Sequence, residues 1–537
     1  MHHLLSIAFL LWSCFLFSCG KSQENAQPPA PLIHQAHLST GWYETNAAQL
    51  RKEIDAYLDQ AQRYFPTRFS NVPRVLIVPH AGHSYSGLCA ATAYQTLFDA
   101  PQQPTSAIKR VIIMAPAHTT FYNGIALPDY TVYRMPQGDI PLDRQALKKL
   151  EKKDKVFGVF PQAHEIEHSL EIQLPFLQRA IASFQLIPLI VGRLSDEQIF
   201  LAAEALKKIL TPDSLLVISS DFTHHGASYE YTVFDKNINT SLRHLDTMAI
   251  QALSAPSFES FVTMLQQTSA TICGQEPLKI LLALLETNAL GALQAHLTCY
   301  YNSAQLAWAH KNTYSPLKLF DNPPDNEMQS SVSYVGMVYT APSSLPQEVL
   351  TGYEQQALLR LARNSIEHAF NGSNKEIQLP LISSGLLSPS GAFVTLTTKK
   401  GDLRGCIGRI VTDKPLYSTV ANMAQAAAFN DTRFEPLRKE KLDNIVIDIT
   451  VLTQPRHVAS AEDIIVGQHG VIFNKRGESG TIIASAVFLP QVARDWHWNR
   501  TTMLEQLSLK AGLDQNAWKT NCDFEVFEGF EFKEVHA

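Results

Sequence analysis

Three apolar runs of this sequence each lead into side chains that could bind a metal ion or transfer a proton. The runs are residues 74–79, 110–117 and 215–218. The side chains that follow them are His80, His83, His118, Asp221, His224 and His225. Imidazole is the commonest metal ligand in proteins and titrates near neutral pH. Short apolar runs indicate buried parallel strands, and ligands bind at the carboxyl edge of such sheets, so we expect these side chains at one rim.

A cysteine adds a softer donor to this set. Cys273 stands between Ile272 and Gly274, and the glycine allows the backbone to approach a neighbour closely. Thiolate ligands suit copper, zinc and iron. A single histidine or cysteine is more often an ordinary buried residue, so the prediction depends on the combination.

The elements that must position these residues form an α/β pattern. Strand-like and helical runs alternate from about residue 38 to residue 340, which predicts a mostly parallel sheet flanked by helices. The further elements predicted here are a strand at 184–191, a helix at 199–210 behind a capping box that begins at Ser195, and a closing strand at 330–339.

Five motifs of this region, in order along the chain, resemble those of the Memo family. They are PHAG at 79–82, PAH at 116–118, EHSLE at 167–171, SSDFTH at 219–224 and ICG at 272–274. The resemblance implies a fold like the catalytic subunit of class III extradiol dioxygenases, with His80, His118 and Cys273 as metal ligands. Cys273 would then replace the carboxylate of a facial triad for Fe(II).

The same resemblance implies roles for other residues of the pocket. His224 resembles the dioxygenase acid/base, and Asp221 is expected to orient the ligands or assist them. The remaining pocket candidates, each with a surface or capping role as the alternative, are His83, His168, Glu171 and His225. A thiolate ligand lets the site hold iron or copper, with zinc the less expected metal, and makes the site sensitive to oxidation.

Residues 164–168 also spell HEIEH, the H-E-x-x-H pattern of zinc proteases. That site needs both histidines on one helical face under apolar cover. Pro161 allows a helix only to begin here, and Pro175 is expected to end it soon afterwards. Glu167 would also place a charge in the cover. We therefore predict that the pattern is coincidental, and a zinc hydrolase is the minor alternative.

A second domain of a different class follows a loop. Alternating apolar and polar residues at 391–398 and 445–452, with a helical run at 416–429, predict an α+β domain with an antiparallel sheet. Its first helix is expected to be capped at Thr351. The predicted divisions of the chain are a signal peptide at 1–19, a linker at 20–37, a Memo-like domain at 38–340, a linker at 341–350 and the second domain at 351–537.

The second domain resembles the AMMECR family. The motifs that carry the resemblance are LRGCIG at 403–408, NDTRF at 430–434, QHG at 468–470 and FLPQVA at 488–493. Memo-like and AMMECR-like proteins are grouped with a radical SAM enzyme as the AmmeMemoRadiSam system, and this chain resembles its proteins B and A joined. A radical SAM protein is therefore an expected partner. Fusion raises the effective concentration of the two modules to roughly millimolar.

Four residues of the second domain are candidates for chemistry. The two glycines around Cys406 could expose its thiol, and Arg404 could lower the pKa of that thiol, as a nucleophile requires. A cysteine packed in a tight strand corner is the equal alternative. Arg433 and His469 are expected to complete an anion or substrate pocket.

The amino terminus resembles a bacterial lipoprotein signal. Residues 4–17 are almost wholly apolar, too short for a membrane span but suited to a signal-peptide core. The sequence LFSCG at 16–20 places Cys19 where lipid would be attached. We expect the protein in the bacterial cell envelope, lipid-anchored and facing away from the cytoplasm. An uncleaved hydrophobic anchor and a signal peptide without lipid are the alternatives.

Composition narrows the function classes. The 537 residues are 45% hydrophobic and 18% charged, with a net charge of -6 and no long charged block, so we expect two or three globular domains and no nucleic-acid partner. The 7 cysteines contain no CxxC pair, which argues against a zinc ribbon or a thioredoxin-like centre.

Three functions fit these residues. They are a metal-dependent redox or dioxygenase-like enzyme that works with a radical SAM protein, a metal carrier without turnover, and a protein-binding scaffold. His224 favours the first, while Cys273 in place of a carboxylate favours the second. The sequence thus predicts metal binding and leaves catalysis and substrate open.

Overall fold

The computed structural model describes residues 31–98, 107–151, 156–343, 349–370 and 383–534. The predicted signal peptide and its lipid attachment site, Cys19, lie outside the described residues. Among the helices of the described ranges, none has the length and apolar character that a membrane span requires.

The first domain is a mixed α/β structure. Its strands are β1 (Ile33–Gln35), β2 (Val75–Val78), β3 (Arg110–Pro116), β4 (Ile125–Leu127), β5 (Val132–Met135), β6 (Gly138–Pro141), β7 (Phe157–Val159), β8 (Gln185–Val191), β9 (Ser214–Ser219), β10 (His224–His225), β11 (Gln294–Asn302) and β12 (Ser331–Thr340). Its helices are α1 (Ala47–Tyr64), α2 (His83–Gln95), α3 (Arg144–Glu151), α4 (Gln162–Glu165), α5 (His168–Glu171), α6 (Leu174–Ala180), α7 (Asp196–Lys207), α8 (Ile238–Ser254), α9 (Phe258–Thr268), α10 (Gln275–Glu286) and α11 (Ser303–Lys311).

The centre of the main sheet is parallel. Strands β2, β9, β3 and β8 lie side by side in that order and run in the same direction. Nearly every residue of the four is buried, as expected for strands covered on both faces. The strands predicted from the apolar runs are therefore confirmed, and three of them end at the edge that carries the candidate ligands.

The flanks of the sheet differ from the prediction. The predicted closing strand is β12, but it runs antiparallel to β2 and lies inside the sheet, between β2 on one side and β10 and β11 on the other. Strand β4 is antiparallel to β8. An apolar run predicts burial but not direction, because both kinds of buried strand have similar composition.

The end of the predicted linker belongs to the fold. Strand β1 pairs in parallel with β5, and β6 completes a small three-stranded sheet. The segment Ile33–Gln35 contains one apolar residue, so its composition gave no sign of a strand.

Local signals at helix ends had mixed success. The capping box at Ser195 is present and opens α7. The HEIEH segment is broken, because α4 ends at Glu165 and α5 begins at His168, so the two histidines do not share a helix. Pro175 was expected to end a helix, but it lies in the first turn of α6, where its fixed φ and missing N–H are tolerated.

The second domain has two sheets, where the sequence predicted one. Its strands are β13 (Ala392–Thr398), β14 (Leu403–Arg409), β15 (Ile445–Leu452), β16 (Arg456–Val458), β17 (Gly470–Arg476), β18 (Ile482–Phe488), β19 (Cys522–Phe527) and β20 (Gly529–Lys533). Its helices are α12 (Gly352–Phe370), α13 (Ser384–Leu387), α14 (Leu416–Phe429), α15 (Pro490–Asp495) and α16 (Arg500–Lys510).

Both sheets are antiparallel and each has its own apolar core. Their orders are β14-β13-β15-β20 and β16-β19-β17-β18. The predicted strands at 391–398 and 445–452 and the helix at 416–429 are confirmed. Only Glu528 separates β19 from β20, so the chain passes from one sheet to the other within a single residue. Alternating patterns predict strands but not the sheet that each one joins.

Helix α12 connects the two domains through its first turn. Thr351 and Glu354 exchange hydrogen bonds at its start, as predicted: Thr351 N donates to Glu354 Oε2 (2.8 Å), and Glu354 N to Thr351 Oγ1 (3.3 Å). The Tyr353 ring stacks on Phe320 of the first domain, with centroids 4.9 Å apart. Gly352 fits here because a Cβ would strike the backbone at Phe65. The first turn of α12 therefore packs as part of the first domain.

Glu354 should make stability depend on pH. Burial raises the pKa of Glu354 from 4.5 to about 7, although hydrogen bonds from Ser383 and Thr351 oppose the shift. The folded state binds the Glu354 proton more tightly than the unfolded state does. The stability that this proton contributes is therefore fully present below pH 4.5 and is lost as the pH rises through 7. Between about pH 5.5 and pH 8, the free energy of unfolding should fall by about 2 kcal/mol more in the wild type than in Glu354→Gln.

Denaturant unfolding at the two pH values measures this difference. The matched control is Glu435→Gln, which changes an exposed glutamate of the same domain. If Glu354→Gln and Glu435→Gln show the same pH dependence, Glu354 does not titrate as the structure indicates.

Candidate metal centre

The structure brings His80, His118 and Cys273 together at the carboxyl edge of the main sheet. One ligand atom from each lies within 4.8 Å of the other two, and His80 Nε2 is 3.0 Å from Cys273 Sγ. His80 follows β2, His118 follows β3, and Cys273 precedes α10, so three separate elements supply the donors. Ligands bound at about 2.0–2.3 Å lie up to roughly 4.6 Å apart across one ion, so the spacing suits a shared metal.

The hydrogen-bond network fixes which nitrogen of His80 is free. Ser219 Oγ donates its proton to the Ser169 carbonyl (2.6 Å), so toward His80 Nδ1 (3.0 Å) it can only accept. His80 therefore carries its proton on Nδ1, and the Nε2 lone pair points to Cys273. Burial, with repulsion from His118, lowers the pKa of His80 well below its usual value, which keeps the imidazole neutral.

Glu167 orients His118 in the same way. His118 Nδ1 donates to Glu167 Oε1 (2.9 Å), and the backbone N–H of His118 donates to Oε2 (2.6 Å). Burial alone would raise the pKa of Glu167, but the hydrogen bonds from His118 outweigh it and lower that pKa to about 2. The carboxylate is therefore ionised and can only accept, which leaves the Nε2 lone pair of His118 free.

The sequence did not reveal these two orienting groups. Glu167 is the first residue of the EHSLE motif. Its charge served only as an argument against a zinc-protease site at HEIEH, and no role at the metal site was predicted for it. Ser219 opens the SSDFTH motif, but the sequence assigned no contact to it. The order of residues along a strand or helix does not tell which distant side chain they contact.

Cys273 is a half-buried residue with a free thiol. Burial, and then the nearby charge of Asp221, raise the pKa of Cys273 well above its usual value, so a cation must displace its proton before the sulfur can bind. Its Sγ lies 3.0 Å from the unprotonated His80 Nε2 and 3.4 Å from the Asp221 carbonyl, the two acceptors within reach of the single thiol proton. The close approach predicted at Gly274 is present, because a Cβ there would overlap Ser220, whose Oγ accepts from the Gly274 N–H (3.1 Å).

Asp221 and His224 have different environments. Asp221 Oδ1 accepts from the backbone N–H of His80 (2.7 Å), so the carboxyl supports the segment that carries one ligand. Burial raises the pKa of Asp221. His224 Nδ1 lies 2.8 Å from the Phe222 carbonyl and 3.0 Å from the Thr271 carbonyl. Two acceptors require a proton on Nδ1, so His224 Nε2 has a free lone pair.

His168 lies beside the three donors. Its ring centroid is 4.6 Å from that of His118 and 5.5 Å from that of His80. Burial, with repulsion from His118, lowers the pKa of His168 to about 4. The imidazole is therefore neutral near physiological pH, and it packs against the Trp42 ring, with ring centroids 4.6 Å apart.

The other three pocket candidates make their contacts elsewhere. His83 Nε2 lies 3.3 Å from the Ile172 carbonyl, and its Nδ1 is 3.3 Å from Glu53 Oε1. His225 is buried in β10 and stacks on Phe234, with ring centroids 6.0 Å apart. Glu171 is fully buried in a different cluster, which is described below. None of these observations places them against the three donors.

The zinc-protease pattern finds no support in the side chains either. His164 Nε2 lies 3.2 Å from the Ala126 carbonyl, and its Nδ1 lies 3.3 Å from the Tyr130 hydroxyl. Both nitrogens are thus turned toward β4 and Tyr130, and His164 is in none of the potential metal-binding groups among the described residues.

In the second domain, a compact group forms around Cys406. Thr395 Oγ1 donates to Cys406 Sγ (3.2 Å), and the Cys406 N–H donates to Asp431 Oδ2 (2.8 Å). Arg433 pairs with Asp431 and also donates to the Cys406 carbonyl (3.1 Å). Arg404 instead donates to the Glu435 carbonyl. Of the two arginines, Arg433 is therefore the one held next to Cys406.

His469 belongs to the other sheet of that domain. It is buried just before β17, its Nδ1 accepts from the Ile465 N–H (3.0 Å), and its Nε2 lies 3.5 Å from Arg456. These contacts involve the second sheet rather than Arg433, so the structure does not bring the two predicted pocket residues together.

Comparison with known proteins supports the resemblance found in the motifs. The family model described as Memo-like protein matches residues 35–315, and the model AMMECR1 matches residues 359–532. Protein MEMO1 from Homo sapiens is 32% identical over 271 residues, which cover 49% of this chain and 86% of that protein. Protein MEMO1 from Danio rerio is 33% identical over 259 residues, or 47% of this chain and 84% of that protein.

Two further similarities come from other organisms. The protein memo-1 homolog of Caenorhabditis elegans is 32% identical over 255 residues, or 46% of this chain and 69% of that protein. The crystal structure of an uncharacterized protein from Pyrococcus horikoshii is 33% identical and covers 33% of this chain and 90% of its own, with a TM-score of 0.29.

The Memo-like match contains all three candidate donors, and the second match contains the group around Cys406. The chain therefore belongs to the Memo-like protein family, with an extradiol-dioxygenase-like first domain fused to an AMMECR1 domain.

Proposed function

We propose that this protein binds one iron or copper ion through His80, His118 and Cys273, with zinc the less favoured metal. The observation that carries the proposal is the convergence of the three donors within 4.8 Å, with the Nδ1 atom of both imidazoles already held by Ser219 or Glu167. Two nitrogens and one sulfur form a donor set for transition metals rather than for magnesium or calcium.

The hydrogen bonds of His224 favour a reaction at this site over metal storage alone. Its Nδ1 proton is held by two carbonyl groups, and its Nε2 lone pair can accept a proton from a bound substrate. A cavity of about 140 Å³ reaches Cys273 and is lined by Phe121, Tyr122 and Arg193. A metal ion bound here would supply Lewis-acid or redox chemistry. The second candidate function is thus a metal-dependent oxidoreductase.

Location and partners are proposed from the sequence and the family. The apolar leader and Cys19 support a lipid-anchored protein of the bacterial cell envelope. The AmmeMemoRadiSam grouping supports a radical SAM partner. These two proposals compete, because a cytosolic radical SAM enzyme with a reduced cluster would not meet a protein on the far side of the membrane. The distribution of charge along the sequence gives no basis for a nucleic-acid partner, so we propose none.

Removal of one ligand should remove the metal. In protein purified without oxygen, we expect His118→Ala to lose about one equivalent of iron or copper per chain, because the remaining two donors bind more weakly. Elemental analysis measures the content. The control is His310→Ala, an exposed histidine of α11 stacked on Tyr314. Equal metal content in the two variants would discard the ligand assignment.

Removal of the charge that orients His118 should weaken binding without removing a ligand. Glu167→Gln keeps the size of the side chain but no longer fixes the Nδ1 proton, and loss of such a partner lowers metal affinity by about 10–100-fold. Competition with a chelator measures the affinity. Glu165→Gln is the control, since Glu165 is exposed two residues away. Unchanged affinity in Glu167→Gln would mean that Glu167 has no influence on the site.

Replacement of His224 tests catalysis separately from binding. If the protein uses oxygen with catechol-like or peptide substrates, His224→Asn should retain its metal and lose about 100-fold or more of the rate, as expected for a general acid/base. Oxygen uptake and metal content are measured together, with the exposed His244→Asn as control. Full activity in His224→Asn would contradict the proposed role. Absence of uptake by the wild type would favour a metal carrier.

A further inference from the structure

A second group of metal-ligand atoms lies at the other end of α5 from Glu167. One ligand atom each of His34, His37 and Glu171 lies within 4.8 Å of the other two. His34 is in β1, His37 follows two residues after that strand, and Glu171 is the last residue of α5. Neither the motifs nor the family resemblance assigned a metal to this group.

Glu171 is an ionised carboxylate inside the protein. It is fully buried and accepts from the backbone N–H groups of His37 (3.0 Å) and Leu38 (2.9 Å) and from the hydroxyls of Tyr43 (2.6 Å) and Tyr133 (2.9 Å). Burial alone would raise the pKa of Glu171, but the hydrogen bonds from His37 and Tyr43 lower it to about 2. The group therefore contains a fixed negative charge.

The two imidazoles beside this charge have buried nitrogens without well-directed hydrogen bonds. Among the described residues, none forms a well-directed hydrogen bond with His34 Nε2 or with either ring nitrogen of His37, although all three atoms are buried. His37 Nδ1 is 2.8 Å from Glu171 Oε2, without good hydrogen-bond direction. Burial alone would lower the pKa of His37, but this contact with Glu171 raises it, so a metal ion would have to displace a proton from His37. Buried polar atoms normally have a partner, so these nitrogens require an explanation.

The surroundings hold the rings in place. The His34 ring stacks on Tyr130, with centroids 4.7 Å apart, and lies 4.6 Å from Tyr133. Strand β1 itself is fixed by its pairing with β5, where His34 is opposite Tyr133. A site that is already rigid loses little conformational entropy when it binds an ion.

We propose that His34, His37 and Glu171 bind a second metal ion, a divalent transition metal such as Zn²⁺ or Fe²⁺. Two imidazoles and one carboxylate are a recurrent donor set for both ions, and they form a harder set than the site that contains Cys273. The ion would give the free nitrogens a partner and would join β1 to α5. Since α5 begins directly after Glu167, this second site would hold the segment that orients His118.

Cobalt(II) titration of the full-length apoprotein tests this proposal, because Co²⁺ substitutes for both ions and reports on sulfur ligands. The wild type should bind about two equivalents, one of them with a thiolate-to-cobalt charge-transfer band from Cys273. The variant His34→Gln/His37→Asn should bind one equivalent and keep that band. The variant His118→Ala/Cys273→Ser should lose the band and keep one equivalent.

The controls separate this site from the first one and from misfolding. His244→Asn/His310→Gln, which changes two exposed histidines, should still bind two equivalents. Thermal unfolding in chelator compares the folding of each variant with that of the wild type. When cobalt is added, only the wild type and the variants that retain His34 and His37 should gain stability from metal at the second site. The single variant His37→Asn is measured as well, in case the double variant does not fold.

Two results would overturn the second site. One is a wild type that binds a single equivalent and shows the charge-transfer band. This result is expected if His37 and Glu171 form only an ion pair and bind no metal. The other is a double variant that still binds two. If the wild type binds one equivalent without the band, and His34→Gln/His37→Asn no longer binds it, the result would support the second site and contradict the first.

Discussion

The hydrogen bonds of the ionised Glu167 carboxylate are the constraint on which the geometry of the first site depends. Its two oxygens accept from the ring and the backbone of His118, from the Thr119 N–H and from the Ser169 N–H. A charge in an apolar interior is costly unless donors surround it, and here the donors come from the end of β3 and the start of α5. One side chain thus fixes the proton position of a ligand and the position of a helix.

Glu171 repeats this arrangement at the other end of α5. Both carboxylates are buried, both have a pKa lowered to about 2 by their hydrogen bonds, and each lies beside histidines. The four-residue helix between them is too short to be stable alone. Its position is instead determined by the groups that surround the two acids, so the geometry at one acid constrains that at the other.

Much of the scaffold could be predicted from the sequence, and less of the site. The strands came from apolar runs, and the placement of His80 and His118 followed from the rule that ligand-binding residues lie at the carboxyl ends of parallel strands. Cys273 came from its glycine neighbour and from the family motif. The proton positions on the imidazoles could not be predicted, because they depend on contacts between residues far apart in the sequence. Ser219 contacts His80, and Glu167 contacts His118.

The residues that escaped sequence analysis share a physical cause. His34 and His37 lay in a segment taken as linker, because a three-residue strand has too few residues to show a period. The second sheet of the AMMECR1 domain was missed because local alternation does not specify which strands pair. In each case the missing information was a contact between segments far apart in the sequence.

The first turn of α12 makes the two domains of the chain depend on each other for the burial of aromatic side chains. Tyr353 lies in a recess formed by Phe65 and Phe320, and Thr351 Oγ1 donates to the Leu297 carbonyl of β11 (2.6 Å). A polypeptide cut ahead of this turn would leave an aromatic hollow open to water on one fragment and an uncovered tyrosine on the other. Separation of the two halves into independent proteins would therefore require compensating substitutions on both sides of the cut.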